Sequence, residues 1–77
     1  MQDDDLQQGQ IVRVGNLSPG TVILASREHL DARQEGVMGR VESVTPTEGH
    51  KLAWVKHGKH VAPYMSYELV LVGVPRE

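Results

Sequence analysis

"KLAWVKHGKHVAPY", Lys51–Tyr64, shows most directly how this chain folds. Its first half alternates, with Ala53 and Val55 on one side, as expected of a half-buried β-strand. Gly58–Lys59 then makes a tight two-residue turn, so the two halves form a β-hairpin. Because Pro63 has no N–H for a ladder hydrogen bond, the second strand ends at the residue before it or lies at a sheet edge.

Other short runs of strand-forming residues surround this hairpin. "QIVRV" from Gln10, "TVILA" from Thr21 and "GVMGRVESV" from Gly36 precede it, and "LVLVGV" from Leu69 follows it. "MSYE", Met65–Glu68, predicts a single 3₁₀ turn before the last run. Five to six short strands in a chain of 77 residues are too few for a sandwich of two sheets, and they predict a small all-β barrel.

"SREHLDARQEG", residues 26–36, is the one helical candidate, and it predicts either a short helix of at most two turns over about residues 27–34 or an ordered loop. Ser26 can cap its start, Leu30 can face the core, and Gly36 can end it. Gly39 lies within the strand run that follows and predicts a bulge or a sharp bend, which small barrels need where a strand turns a corner.

Residues 1–8 are predicted to be a disordered acidic tail, because they are polar and Leu6 is their one useful apolar side chain. Asp3–Asp5 supply three of the ten acidic residues. Residues 9–77 then carry seven acids against eight Lys and Arg, and we predict that they form a single, nearly neutral domain. That balance gives only weak attraction to phosphate backbones.

Composition and missing motifs exclude several kinds of protein. The chain has no cysteine, which excludes disulfides, thiolate nucleophiles and cysteine-ligated metal centres. No run approaches the roughly 20 apolar residues of a membrane span, and the first residues are acidic where a secretory signal is basic and then apolar. We therefore expect a cytoplasmic protein without membrane contact. No nucleophile elbow, phosphate-binding glycine loop or carboxylate pair is visible, which indicates a non-enzymatic protein without a cofactor.

Histidines are the candidate metal ligands. His50, His57 and His60 lie near the hairpin, and His29 lies elsewhere. Histidines on paired strands can share a zinc ion, which takes three or four ligands. Their spacing matches no recognised zinc pattern, and His57 and His60 flank a turn that should face water. We therefore predict surface histidines and no metal site.

The order of these elements resembles the Src-homology-3-like small barrels, the fold of Tudor and KOW modules. The resemblance covers roughly residues 9–74, from "GQIVRV" through "GVMGRVESV", "KLAWVKHG" and "KHVAPY" to "MSYE" and "LVLV". It implies a binding module in which aromatic side chains converge on one groove that recognises peptides or methylated side chains.

The C-terminal half is also similar to the plasmid-type (type II) dihydrofolate reductases, small barrels that assemble as tetramers around a central pore. The similarity runs through "GRVESVTPTEGHKLAWVKH" into "GKHVAPYMSYEL". The ligand-contacting Val-Gln-Ile-Tyr strand of that family matches Val61–Tyr64, where the two end residues agree and the two middle residues differ. A pore lysine of the family has no match, since the chain there contains Arg13–Gly15. The resemblance implies a pore-forming oxidoreductase that binds NADPH as one alternative.

The three aromatic residues, Trp54, Tyr64 and Tyr67, carry the leading prediction. Flat rings bury area at little entropic cost and are enriched in binding surfaces, although Trp54 would also fit the core or a subunit interface. We predict a bacterial-type interaction module that binds a protein partner, including a second copy of itself. Met38 is an adaptable contact, and the predicted binding residues are Trp54, Tyr64, Tyr67, Met65, Lys59 and His60.

A second alternative is weak nucleic-acid binding by the basic C-terminal hairpin. Cations can neutralise phosphates while nearby aromatic rings stack on bases. The residues predicted for this function are Arg40, Lys51, Lys56 and Lys59. On the same evidence, Lys56 can instead lie beside Trp54 and cover its ring with an aliphatic stem.

Overall fold

The computed structural model of the chain describes residues 1–18, 23–47 and 49–73. These residues form five strands, one short α-helix and two 3₁₀ turns. The elements, in chain order, are a 3₁₀ turn at Asp3–Asp5, β1 Ile11–Val14, α1 Arg27–Asp31, β2 Met38–Thr47, β3 His50–His57, β4 His60–Met65, a 3₁₀ turn at Ser66–Glu68 and β5 Leu69–Gly73. All strand pairs are antiparallel, and the sheet order is β4-β3-β2-β1-β5. The predicted small all-β fold with one short helix is confirmed.

The hairpin of β3 and β4 has the predicted two-residue turn. His57 lies opposite His60, and Gly58 has a φ of 62°, the positive value that the first position of a type II′ turn requires. Pro63 lies inside β4 opposite Trp54, so the strand does not end before the proline. The alternative prediction holds, because β4 is an edge strand of the sheet.

The core lies on one face of the sheet. Alternation places Val12, Val41 and Val55 on this face, and each is fully buried. Leu69 at the start of β5 completes the same cluster. In the predicted run Thr21–Ala25, the first two residues lie outside the described residues, and the last three are not in a strand.

Residues 1–8 are folded against the sheet, so the prediction of a disordered tail is wrong. Leu6 is buried in the core cluster. The Met1 nitrogen donates to the Leu69 carbonyl at 3.1 Å, and the Ser66 hydroxyl donates to the Asp3 carboxylate at 2.7 Å. That hydrogen bond lowers the pKa of Asp3. One buried leucine and a set of polar contacts are enough to order a segment whose composition alone favours disorder.

Helix α1 begins where the sequence predicts. The Ser26 side chain accepts a hydrogen bond from the His29 backbone N–H at 3.3 Å, which is an N-cap contact. The helix ends at Asp31, earlier than predicted, and Leu30 is only half-buried. Across the described ranges, no helix has the length and apolar character that a bilayer crossing needs.

Gly39 allows β2 and β3 to approach closely. A Cβ atom at this position would lie 2.6 Å from the Lys56 carbonyl oxygen and 2.6 Å from Val55 Cγ1. The register irregularity of β2 lies further on, between Val41 and Ser43. The bulge predicted at Gly39 is therefore displaced, and the glycine serves close packing instead.

Candidate interaction surface

Tyr64 belongs to the core and not to a surface. The register places it opposite Ala53 on the inner face, and it is fully buried. Its hydroxyl accepts a hydrogen bond from the Gln34 N–H at 3.0 Å and lies 3.1 Å from His57 Nε2. Burial raises the pKa of Tyr64. The predictions of an exposed Tyr64 and an exposed His57 are both wrong, because hairpin register turns these side chains inward.

A second buried polar group joins the segment after α1 to the 3₁₀ turn Ser66–Glu68. Glu68 is fully buried, and its carboxylate lies 2.5 Å from Arg33 Nη2. The same carboxylate accepts hydrogen bonds from the backbone N–H groups of Ser18 at 3.0 Å and Met65 at 2.9 Å. These donors occupy the carboxylate, so the contacts indicate a structural role. Sequence reasoning missed this ion pair, since its partners lie 35 positions apart.

Other predicted binding residues also separate into buried and exposed groups. Met65 is buried opposite Leu52, so its prediction as a surface contact is wrong. Tyr67 is exposed on the turn before β5. Of the four positions matched to the ligand-contacting strand of the reductases, Val61 alone is partly exposed.

A groove between α1 and β4 brings together two of the predicted binding residues. It has a volume of about 190 Å³ and is lined by Lys59 and His60 from the hairpin and by His29 from the helix. The ring of Trp54 meets His29 edge-on, with centroids 5.2 Å apart. Trp54 is therefore partly buried, and it contacts one lining residue of the groove, His29. The described residues contain no group of three side chains that could hold a metal ion.

The face of the sheet that points away from the core carries a cluster of unpaired cations. Arg40 on β2 lies directly opposite Lys56 on β3, and both side chains are exposed. Arg13 on β1 is exposed on the same face and lies opposite Met38 and Val70. Within the described parts of the chain, none of the three cations forms an ion pair. Like charges directly opposite each other destabilise a sheet, so this arrangement costs stability.

Exposed apolar side chains flank these cations. Met38, Val70 and Val72 are each about half-exposed and point away from the core by alternation along their strands. We call the outer sheet face the surface formed by Arg13, Met38, Arg40, Lys56, Val70 and Val72. Of these residues, only Met38, Arg40 and Lys56 were predicted as contacts, although the strict alternation of "QIVRV" and "LVLV" also indicates that Arg13 and the two valines point outward.

The basic residues predicted for nucleic-acid binding do not form one group. Arg40 and Lys56 are neighbours on the outer sheet face. Lys51 instead lies 3.9 Å from the Asp4 carboxylate, and Lys59 lies in the hairpin turn beside the α1–β4 groove. The acidic N-terminal segment therefore neutralises one of the four predicted cations.

Buried His57 makes stability depend on pH. Burial, followed by the charge of nearby His60, lowers the pKa of His57 below its ordinary value of 6.5. The unfolded chain then binds this proton more readily than the folded chain does. The stabilising effect is complete above pH 6.5 and is lost as the pH falls from there toward the lower pKa of the folded state.

We expect the free energy of unfolding, measured by urea titration, to fall between about pH 7 and pH 5. In His57→Gln, the free energy of unfolding should change less over this pH range. His29→Gln removes an imidazole from α1 and is the matched control, in which the free energy of unfolding should fall as in the wild type. An unchanged profile for His57→Gln would contradict the assignment.

Comparisons of the chain with family models, with curated proteins and with solved structures find no match.

Proposed function

We propose that this chain is a non-enzymatic interaction module of the Src-homology-3-like kind, and that its outer sheet face binds a protein partner. The partner would present carboxylates together with apolar side chains. The observation that carries the proposal is the group of three exposed, unpaired cations, Arg13, Arg40 and Lys56, among half-exposed Met38 and Val70.

Energetics favour a partner for this face. The cross-strand pair of Arg40 and Lys56 costs stability in the free protein, and an acidic partner would relieve that repulsion on binding. Contiguous apolar groups on a small domain are typical of interaction sites. The burial of Tyr64 and Met65 moves the proposed contacts from the aromatic residues to this face.

A labelled peptide of alternating aspartate and leucine is a suitable probe, with fluorescence anisotropy at low salt as the measurement. We expect Arg40→Gln combined with Lys56→Gln to weaken binding about ten-fold, because both cations contact the same partner. Arg27→Gln is the matched control, since this exposed cation lies on α1 beside Asp31. Equal affinities for the two variants would contradict the proposal.

Nucleic-acid binding is the second candidate, and the adjacent cations Arg40 and Lys56 favour it as well. A single-stranded oligothymidine in the same assay separates the two functions, because binding to phosphates weakens steeply with salt. Trp54, two positions before Lys56 on β3, is the nearest aromatic ring on which bases could stack, and it already packs edge-on against His29, so we expect the peptide to bind more tightly than the oligonucleotide.

A further inference from the structure

Strand β5 is an edge strand with apolar side chains exposed on both of its faces. Among the described residues, it pairs with β1 on one side and has no neighbouring strand on the other. Val70, Leu71 and Val72 are 46 %, 42 % and 51 % exposed. The strand, Leu69–Gly73, contains no charged residue. A hydrophobic edge of this kind is a template for pairing with another chain, and natural proteins usually protect such edges.

Backbone directions show which groups the free edge presents. The Glu68 carbonyl points toward β1, because it accepts a hydrogen bond from the Gly15 N–H at 2.7 Å. Since directions alternate along a strand, the carbonyls of Leu69 and Leu71 point away from β1. The contact between the Leu69 carbonyl and Met1 agrees with this direction. Leu71 therefore directs its own N–H and C=O toward the open side.

The other edge of the sheet is protected. Pro63 has no N–H to offer to a further strand on the open side of β4. Helix α1 also packs against the same strand. Both are devices that prevent pairing at an edge. Pairing with another strand is therefore expected at β5 and not at β4.

We propose that β5 pairs with β5 of a second copy of this chain, antiparallel and around a two-fold axis at Leu71. In this register Leu71 lies opposite the second copy's Leu71, and Val70 lies opposite its Val72. The two copies form reciprocal hydrogen bonds between the main-chain groups of Leu71. Each half-exposed side chain of the strand meets an apolar side chain, and such cross-strand pairs stabilise a sheet.

The strand is its own complement, and this is the reason for choosing a second copy as the partner. A two-fold axis through Leu71 places Leu71 opposite leucine and Val70 opposite valine, and the paired strands themselves contain no charged residue. The interface is also small. The Leu69 carbonyl already has Met1 as a partner, and a register shift opposite Ile11 and Val12 shortens the regular edge. The buried area stays below the roughly 800 Å² per partner of a standard interface, so the dimer is reversible.

The role of this dimer rests on the proposed function, in which the outer sheet face binds an acidic partner. A two-fold axis perpendicular to the sheet keeps both outer sheet faces on the same side. Arg13, Arg40 and Lys56 of both copies then form one surface, and a long acidic partner can contact both halves and gain avidity.

Sedimentation velocity of the full chain, without any peptide, tests the dimer. We expect a reversible dimer with a dissociation constant on the order of 0.1 mM. Val72→Lys should weaken it at least about ten-fold, because the lysine faces Val70 of the second copy. Leu24→Lys is the matched control, since Leu24 is 93 % exposed and lies outside β5. A wild-type chain that stays monomeric to about 1 mM would overturn the proposal.

A charge-pair experiment tests the register. Val72→Lys and Val70→Glu are each expected to be monomeric, and an equimolar mixture should form a heterodimer, because the introduced lysine of one chain faces the introduced glutamate of the other. A mixture of Val72→Lys with Val72→Glu should stay monomeric. The reverse result, or monomers in both mixtures, would overturn the register. Because no peptide is present, the dimer can fail while peptide binding to the outer sheet face persists, and the converse also holds.

Discussion

Arg33→Met should lower the free energy of unfolding by about 3–5 kcal/mol, because it leaves the fully buried carboxylate of Glu68 without its cation. A domain of this size has a total stability of only about 4–12 kcal/mol. We therefore expect a large unfolded fraction at 37 °C, visible as a lower urea midpoint in circular dichroism. Arg33→Lys keeps the charge but loses the planar guanidinium, and it should be intermediate.

The double variant Arg33→Met with Glu68→Gln distinguishes the effect of an unpaired buried charge from the effect of lost side-chain packing. It removes both charges, and its single amide oxygen keeps an acceptor for one of the two N–H groups of Ser18 and Met65, which bond to different oxygens of the carboxylate. We expect it to recover about half of the stability that Arg33→Met loses, since no uncompensated charge remains. A double variant that is less stable than Arg33→Met alone would show that the charges do not act as a pair.

Gly39→Val should cost about 3 kcal/mol, near the upper end for overpacking, because the new side chain meets backbone. A Cβ at residue 39 would lie 2.6 Å from the Lys56 carbonyl oxygen. Relief of this clash requires β2 and β3 to separate at the centre of the sheet. The measurement is the thermal midpoint, together with amide exchange of Val41 and Val55 on the two strands.

Gly73→Ala is the matched control for the Gly39 variant. A Cβ at residue 73 would meet Ile11 side-chain atoms at 3.7 and 3.9 Å, which is ordinary van der Waals contact. We expect a change within about 0.5 kcal/mol in either direction. If both glycine variants lose similar stability, close approach does not explain the effect at residue 39.

Local patterns predicted the secondary structure well. Alternation and the Gly58–Lys59 turn predicted the central hairpin, and the Ser26 cap predicted the start of α1. These signals depend on residues within a few positions of one another, so a single sequence contains them. The order of β5 beside β1 depends on contacts between distant residues, and no local pattern encodes it.

The candidate site was harder to predict for the same reason. Tyr64 has an amphipathic side chain that fits a binding surface or a core, and only its register opposite Ala53 decides between them. The acidic residues before Leu6 hid its role in the core, because composition is an average over a segment. The cations of the outer sheet face come from three strands, and their proximity requires the pairing of β1, β2 and β3.

The contacts of the Glu68 carboxylate also affect the order in which parts of the chain reach their native structure. Its contacts reach back to Ser18 and Arg33, which are 50 and 35 positions earlier in the chain. The hairpins of β2, β3 and β4 need only near neighbours, and such local contacts form fastest. During synthesis, Ser18 and Arg33 cannot acquire these contacts until residue 68 has been added. These two residues are therefore among the last to reach their native contacts.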